Sequence, residues 1–259
     1  MKLILKGIKR AYGRFSSQAV ARHNLHFILR DRRAFAPQLN RTLVDAALTW
    51  APVLPWRPNT ILDIGAYTGH VAEQLTSLYR PDFIGLVEPL PDLASELACK
   101  SLAPSQKVFA CAVGRDEGIA TLNVIASRHS SSLLPIAPHC DVLFHTPMHQ
   151  IGTIQVPVRR LDSILDECGL DSLDLLKIDV QGYELEAFAG GARTLSRTRV
   201  IVSEASFFEH YEGQPLFADL YEYLTDVGFQ LRGTFAWSYD SSEMPLQCDA
   251  VFIRKQAED

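Results

Sequence analysis

Two short runs place carboxylates beside glycines, where a nucleotide-like ligand could be held. The first is Leu62-Asp63-Ile64-Gly65-Ala66-Tyr67-Thr68-Gly69. Its glycines follow a G-x-x-x-G spacing, not the G-x-G-x-x-G of a dinucleotide site, and no Walker lysine follows. A carboxylate at Asp63 disfavours a pyrophosphate and suits a cation. S-adenosylmethionine carries an ammonium and a sulfonium, so Asp63, Gly65, Ala66, Tyr67 and Gly69 suit it better than NAD. A purely structural glycine turn is the competing reading. The second run, Val87-Glu88-Pro89, puts Glu88 25 residues after Asp63. An acid at the tip of a second strand can accept both hydroxyls of a ribose. Farther on, Cys111-Ala112-Val113-Gly114 offers small residues on which an adenine ring could lie. Cys111 and Ala112 are therefore candidate cofactor contacts, with Cys111 read as a small buried apolar residue, not as a nucleophile.

These residues need rigid elements beneath them. From Thr60 onward, β-rich runs at 60–64, 83–87, 107–113, 173–178 and 199–203 alternate with helical patterns at 69–79, 91–102, 183–196 and 216–227. Near-continuous apolar strands between helices predict a parallel sheet covered on both faces. A strand pair at 229–235 and 248–253 completes a mostly parallel, seven-stranded α/β sheet of Rossmann-like type. Strands at 119–125 and 153–159 bracket a polar insert at 126–150 rich in Ser, His and Pro. In such a sheet, ligands bind beyond the carboxyl ends of the strands, where the strand order reverses. The tips carrying Asp63, Glu88 and Asp179 thus face one mouth.

The run Leu175-Leu176-Lys177-Ile178-Asp179-Val180-Gln181-Gly182-Tyr183-Glu184 is the most specific stretch in the chain. Together with Asp-Ile-Gly-Ala-x-x-Gly, Val-Glu-Pro, Val158 to Ile164 and Ser203-Glu204, it resembles the FkbM-type family of S-adenosylmethionine-dependent methyltransferases. The resemblance covers roughly residues 58–255 and implies an O-methyltransferase of sugars, glycolipids or related secondary metabolites. One departure is Tyr67, where the family usually has Asn. Methyl transfer to oxygen is an in-line displacement that depends on orienting the acceptor. The acceptor hydroxyl must also lose a proton, and Asp179 or Glu204 could be the base, the other holding the acceptor or the cofactor's ammonium. Alternatively, Asp179 only orients its loop and Glu184 caps a helix. Mg²⁺ between Asp179 and Glu204 is a further, less favoured, reading. His139, Cys140, Asp141, His145 and His149 crowd the insert, but Pro147 interrupts the i, i+4 pair, so no metal site is expected there. Ser130-Ser131-Ser132 either hydrogen-bond a polyol acceptor or form a plain serine loop.

The whole chain fits an enzyme of this class. Its 259 residues include five Cys with no C-x-x-C, which argues against a disulfide framework or zinc ribbon and suits a reducing, cytoplasmic compartment. Residues 1–41 hold ten Lys or Arg against the single acid Asp31, a net +9, and the remainder is −14. An acidic body disfavours a nucleic-acid partner. The basic leader places apolar residues Ile4, Ile8, Phe15 and Ala19 at helical spacing, without a secretory core. It either lies peripherally on the inner face of a membrane or packs on its own acidic body. The expected organisation is a basic helical extension over 1–49 and a methyltransferase domain over 50–259, acting on a hydroxyl-bearing small molecule or glycan. The rivals are a protein or nucleic-acid methyltransferase and a catalytically silent scaffold.

Overall fold

The computed structural model describes residues 49–138, 140, 148–240 and 242–255. The basic leader and His139, Asp141 and His145 of the insert lie outside the described residues. Ten strands are described: β1 (Thr60–Ile64), β2 (Phe83–Val87), β3 (Ser105–Phe109), β4 (Ala112–Val113), β5 (Gly118–Ile125), β6 (Gln150–Arg159), β7 (Leu173–Ile178), β8 (Thr198–Ser206), β9 (Phe229–Tyr239) and β10 (Pro245–Arg254). Seven of them form one sheet in the order β3-β2-β1-β7-β8-β10-β9. Pairing is parallel throughout except for β10, which runs antiparallel to both β8 and β9. The order reverses between β1 and β7, so the mouth of the sheet opens where Asp63 and Asp179 emerge. This is the expected Rossmann-like, mostly parallel α/β architecture, with helices on both faces.

Six α-helices lie wholly among the described residues: α1 (His70–Tyr79), α2 (Pro91–Ala98), α3 (Leu161–Cys168), α4 (Glu184–Ala189), α5 (Ala192–Arg197) and α6 (Phe217–Asp226). On one face Ala72 and Leu75 of α1 join Trp50 and Ala51 in a core with Ile61, Leu175, Val200, Val202 and Val251. The Tyr79 hydroxyl donates to the Ala51 carbonyl (2.6 Å), fixing the segment before β1 to α1. On the other face Tyr221 of α6 meets Phe252 of β10, ring centres 6.4 Å apart.

Four local expectations need correction. The run 107–113 is not one strand: β3 ends at Phe109, and Ala112-Val113 pair with Val158 and Arg159 of β6 in a separate sheet of order β4-β6-β5. An apolar run of that length cannot reveal from periodicity that it serves two sheets. The helix expected over 183–196 is interrupted at Gly190-Gly191. A Cβ at Gly190 would lie 2.1 Å from the Gly114 carbonyl oxygen, and one at Gly191 2.9 Å from the Leu161 side chain. The chain passes too close to its neighbours there for any side chain. Finally, α3 lies where no helix was expected. Its eight residues bury Leu161, Ile164 and Leu165 and end on Gly169 in the left-handed conformation, φ +70°. The helix expected over 91–102 also stops early, at Ala98, because Gln106 Nε2 takes the Leu97 and Lys100 carbonyls (both 3.1 Å).

Candidate active site

Side chains alternate across a strand, so residues two apart share a face. The register sets Asp63 beside Lys177, Lys177 beside Val202, and Val202 beside Val251. Two residues toward the mouth, Glu204 pairs with Asp249 on the same face. The face is therefore apolar deep in the sheet and ionic at the tips of β1, β7, β8 and β10.

Asp63 is fully buried, 0% exposed. Its nearest cation is Lys177 Nζ at 3.4 Å from Oδ1. At that length the contact is one of charge, and neither Asp63 oxygen has a hydrogen-bond donor among the described residues. Burial pushes the Asp63 carboxyl up, with Lys177 opposing it. Lys177 Nζ also lies 3.5 Å from Asp179 Oδ2 and 3.5 Å from the Gly65 carbonyl. Burial works against its charge, but Asp63, Asp179 and Asp249 outweigh that and hold the ammonium above its ordinary range. Lys177 is thus a fixed cation between two acids.

The loop after β1 is built by close approach. Gly65 has φ +77°, and a Cβ there would lie 1.9 Å from the Asp179 carbonyl oxygen. Gly65 and Ala66 donate their N–H groups to the Val87 carbonyl at 2.9 and 3.0 Å, tying the loop to β2. Gly69, φ +82°, opens α1, and a Cβ there would strike Leu97 at 2.6 Å. Both glycines are therefore required by packing of the protein on itself, whatever ligand the loop meets. Tyr67 adopts φ +49°, a region costly for residues with a Cβ. Its N–H donates to Glu88 Oε2 (2.8 Å), and its ring meets His129 edge-on at 5.9 Å. Glu88 is 4% exposed and takes the Leu90 N–H on Oε1 (2.9 Å). Each Glu88 oxygen keeps a second lone pair for a hydroxyl. Ala112 belongs to an apolar cluster with Leu90, Leu93 and Leu122, against which Tyr67 packs. Cys111 is buried where β3 gives way to β4, and burial pushes its thiol up to about 12, which leaves it unreactive.

Beyond β7, Asp179, Glu204 and Glu184 come together. One oxygen of each lies within 4.8 Å of the others. Gln181 stands between the first two: its Nε2 donates to Asp179 Oδ1 (2.6 Å) and to Glu204 Oε2 (3.1 Å). A cation between these carboxylates would have to displace that amide. Gln247 of β10 holds the other Glu204 oxygen, donating from Nε2 at 2.7 Å. Burial, then Asp179, Glu184 and Asp249, push the Glu204 carboxyl well above the ordinary range. Asp249 is raised to about 7, mainly by burial, and the Trp50 side chain donates to it. Ser132 is buried and its Oγ donates to the Gln181 carbonyl (2.7 Å), so this serine braces the loop from the insert. Ser131 Oγ accepts the Ile125 N–H (3.2 Å), and Ser130 Oγ accepts the Ser127 hydroxyl (3.0 Å).

Sequence reasoning missed Lys177, Gln181, Asp249, Tyr211 and Trp50 as members of the site. Lys177 had a readable signal, a lone charge two residues before Asp179 in an apolar strand. Asp249 had the same kind of signal within Cys248 to Phe252. Nothing local marks Trp50 or Tyr211. Among the described residues, six acids (Asp63, Glu88, Asp179, Glu184, Glu204 and Asp249) thus surround the strand tips with one lysine. A donor set so rich in acceptors fits a cationic ligand such as a sulfonium bearing an ammonium, and its low-dielectric setting strengthens the preference.

Comparison with known proteins bears on this geometry. A curated relative, the 2-O-methyltransferase NoeI of Sinorhizobium fredii, is 53% identical over 63 residues, which are 24% of this chain and 26% of that protein. The match therefore spans about a quarter of the relative's length. Among solved structures, magnesium protoporphyrin IX methyltransferase from Synechocystis PCC 6803, with bound SAM, has a TM-score of 0.43 and 13% identity over 97% of this chain and 91% of that one. Precorrin-6y C5,15-methyltransferase from Geobacter metallireducens GS-15 has a TM-score of 0.44 and 15% identity, over 85% and 93%. Residues 63–231, more than half of the chain, match the Methyltransferase FkbM domain. The chain belongs to this family of S-adenosylmethionine-dependent methyltransferases.

Proposed function

We propose that the protein transfers a methyl group from S-adenosylmethionine to a hydroxyl of a carbohydrate, glycoconjugate or related metabolite. The observation that carries this reading is the pairing of Asp179 and Glu204 at adjacent strand tips, beside the buried Asp63–Lys177 pair. The 2-O-methyltransferase relative supports oxygen as the acceptor atom, and its name is the ground for a small-molecule or glycan acceptor. When bound, S-adenosylmethionine supplies an electrophilic methyl group whose C–S bonding pair leaves with sulfur. Asp63, Gly65, Ala66, Tyr67, Gly69 and Glu88 would hold it, with Cys111 and Ala112 forming part of the adenine wall. Glu88 would take the ribose hydroxyls on its free lone pairs. Asp179, whose side chain is 31% exposed, is the better placed of the two acids to receive the acceptor's hydroxyl proton as the new C–O bond forms. Glu204 assists by holding the acceptor. Lys177 keeps Asp63 and Asp179 apart in charge and prevents them from sharing a proton.

Mass-spectrometric screening of mono- and oligosaccharide acceptors should detect a gain of one methyl group with wild-type protein. Asp179→Asn should keep the fold and cofactor binding and lower turnover by ~10²–10⁴. Turnover unchanged at saturating cofactor and acceptor would remove Asp179 from the chemistry, and methylation confined to protein or nucleic acid would refute the acceptor class.

A further inference from the structure

Gln181 occupies a position that the turn alone does not explain. Its backbone lies in the left-handed region, φ +55°, followed by Gly182 at φ +93°. A glutamine held there costs about 1 kcal/mol against a glycine or asparagine, so something must hold it. The turn is clamped on every side. Val180 and Gly182 donate their N–H groups to Glu184 Oε1 at 2.9 and 3.3 Å, and Ser132 Oγ donates to the Gln181 carbonyl at 2.7 Å. The side chain is oriented as well. The Tyr211 hydroxyl, 2% exposed as a residue, shares its single hydrogen between the Ser130 carbonyl (2.7 Å) and Gln181 Oε1 (2.8 Å), and Gln181 turns its NH₂ end to the acids. An amide nitrogen has two hydrogens, and here there are two carboxylates to receive them.

We propose that Gln181 is a positioning residue of the methyl-transfer site: oriented by Tyr211, its amide donates one N–H to Asp179 and the other to Glu204, holding the two carboxylates together and ready to accept a proton. This rests on the reading of Asp179 and Glu204 as the acids that serve the acceptor. Two carboxylates brought this close would otherwise favour sharing a proton, and a shared proton removes the base. A bond to each ionised oxygen works against that. The other groups facing Glu204 are Asp179 and Lys177 from β7 and its end, Glu184 from α4, Gln247, Cys248 and Asp249 from β10 and Tyr211 from the loop after β8. Only Lys177 among them is a cation, so neutral amides relieve the remaining repulsion: Gln247 on one Glu204 oxygen, and Gln181 bridging the other to Asp179. Burial and these neighbouring acids hold Glu204 well above the ordinary carboxylate range, which agrees with a site where each N–H donor counts.

The test uses the full chain with Gln181→Asn and Tyr211→Phe. Asn suits the left-handed backbone better than Gln and keeps the amide, but it is one methylene too short to reach both acids. Tyr211→Phe keeps the buried ring and removes only the orienting hydroxyl. Carboxylate ¹³C NMR titration, with the Asp179 and Glu204 signals assigned by their loss in Asp179→Asn and Glu204→Gln, reads the bridge without any acceptor. Removing donors from ionised carboxylates raises their titration midpoints. Gln181→Asn should raise them by about one pH unit or more and Tyr211→Phe by less, in the same direction. With a methylated acceptor, kcat of Gln181→Asn should fall ~10–100-fold, and its rising limb against pH should move to higher pH. Binding of S-adenosylhomocysteine should change less than about threefold. Midpoints that stay at the wild-type values in both variants overturn the proposal, whatever happens to kcat. If wild-type protein methylates no sugar acceptor, the functional reading fails on its own, and the titration still decides whether the bridge exists.

Discussion

Glu184 accepts two backbone N–H groups from a position only 2% exposed, and burial pushes its carboxyl from 4.5 up to about 7. Between those values the folded chain holds a proton that the unfolded chain has lost. Stability from this group is therefore greatest at low pH, falls as pH rises toward about 7, and is level above it. Glu184→Gln keeps the accepting oxygen and cannot ionise. Relative to wild type, the variant should gain roughly 2–3 kcal/mol between pH 4.5 and 8, read by urea unfolding at several pH values. Parallel curves for the two proteins would show that Glu184 is not held protonated. Asp162, little exposed as well, shows the opposite sign. Burial raises its carboxyl, but the Thr194 N–H (2.8 Å) and hydroxyl (2.9 Å) and the neighbouring Arg193 outweigh that and leave it lowered. Shallower burial, a fuller supply of donors and the Arg193 charge separate Asp162 from Glu184.

Element boundaries are set by backbone contact as much as by propensity. Gly190 has an ordinary φ of −80°, so its requirement is purely one of space: the missing Cβ would sit 2.1 Å from the Gly114 carbonyl oxygen. Gly118, at the start of β5, has nothing within 4 Å of the same point. Gly190→Ala should destabilise by about 1–3 kcal/mol through forced movement of α4 against the β4–β5 turn. Gly118→Ala should be neutral or stabilise by up to about 1 kcal/mol by restricting the unfolded chain. Thermal unfolding of the pair decides it, and equal melting temperatures would mean that the α4–α5 junction yields freely. The same contact explains why a continuous helix over 183–196 does not form.

At the scale of the whole chain, the segment before β1 is part of the domain. Trp50 is 1% exposed, packs on the deep apolar face of the sheet and donates to Asp249 at the mouth. A truncation that respects the fold must keep it. Among the described residues no helix is long and apolar enough to cross a membrane. The +9 charge of residues 1–41 is the ground for proposing a peripheral contact with an anionic membrane. Removing residues 1–41 should abolish co-sedimentation with anionic vesicles while leaving turnover on a soluble acceptor intact. Each Lys or Arg near such a surface contributes about 1 kcal/mol, so binding should weaken as salt is raised. Equal sedimentation of the full and shortened chains would exclude the membrane contact, and unfolding on truncation would favour a leader that packs on the body.

Local chemistry in the sequence determined the alternation of strands and helices, the seven strands of the main sheet, and the placing of Asp63, Glu88, Asp179 and Glu204 at strand tips. Apolar runs of strand length, their separation by helical periods, and glycines at the turns are all properties of neighbours along the chain. Tertiary structure alone decided what stands beside each acid. Lys177 meets Asp63 because β1 and β7 are adjacent at the reversal of strand order, and Asp249 meets Glu204 because β10 inserts antiparallel beside β8. Trp50 reaches Asp249, and Tyr211 turns the Gln181 amide toward Asp179, across separations that no local pattern records. The run 107–113 was divided between two sheets for the same reason: hydrogen-bond partners for Ala112 and Val113 lay on β6. Strand order and register depend on long-range packing, and they set the neighbours that fix the charge and orientation of each acid at the mouth.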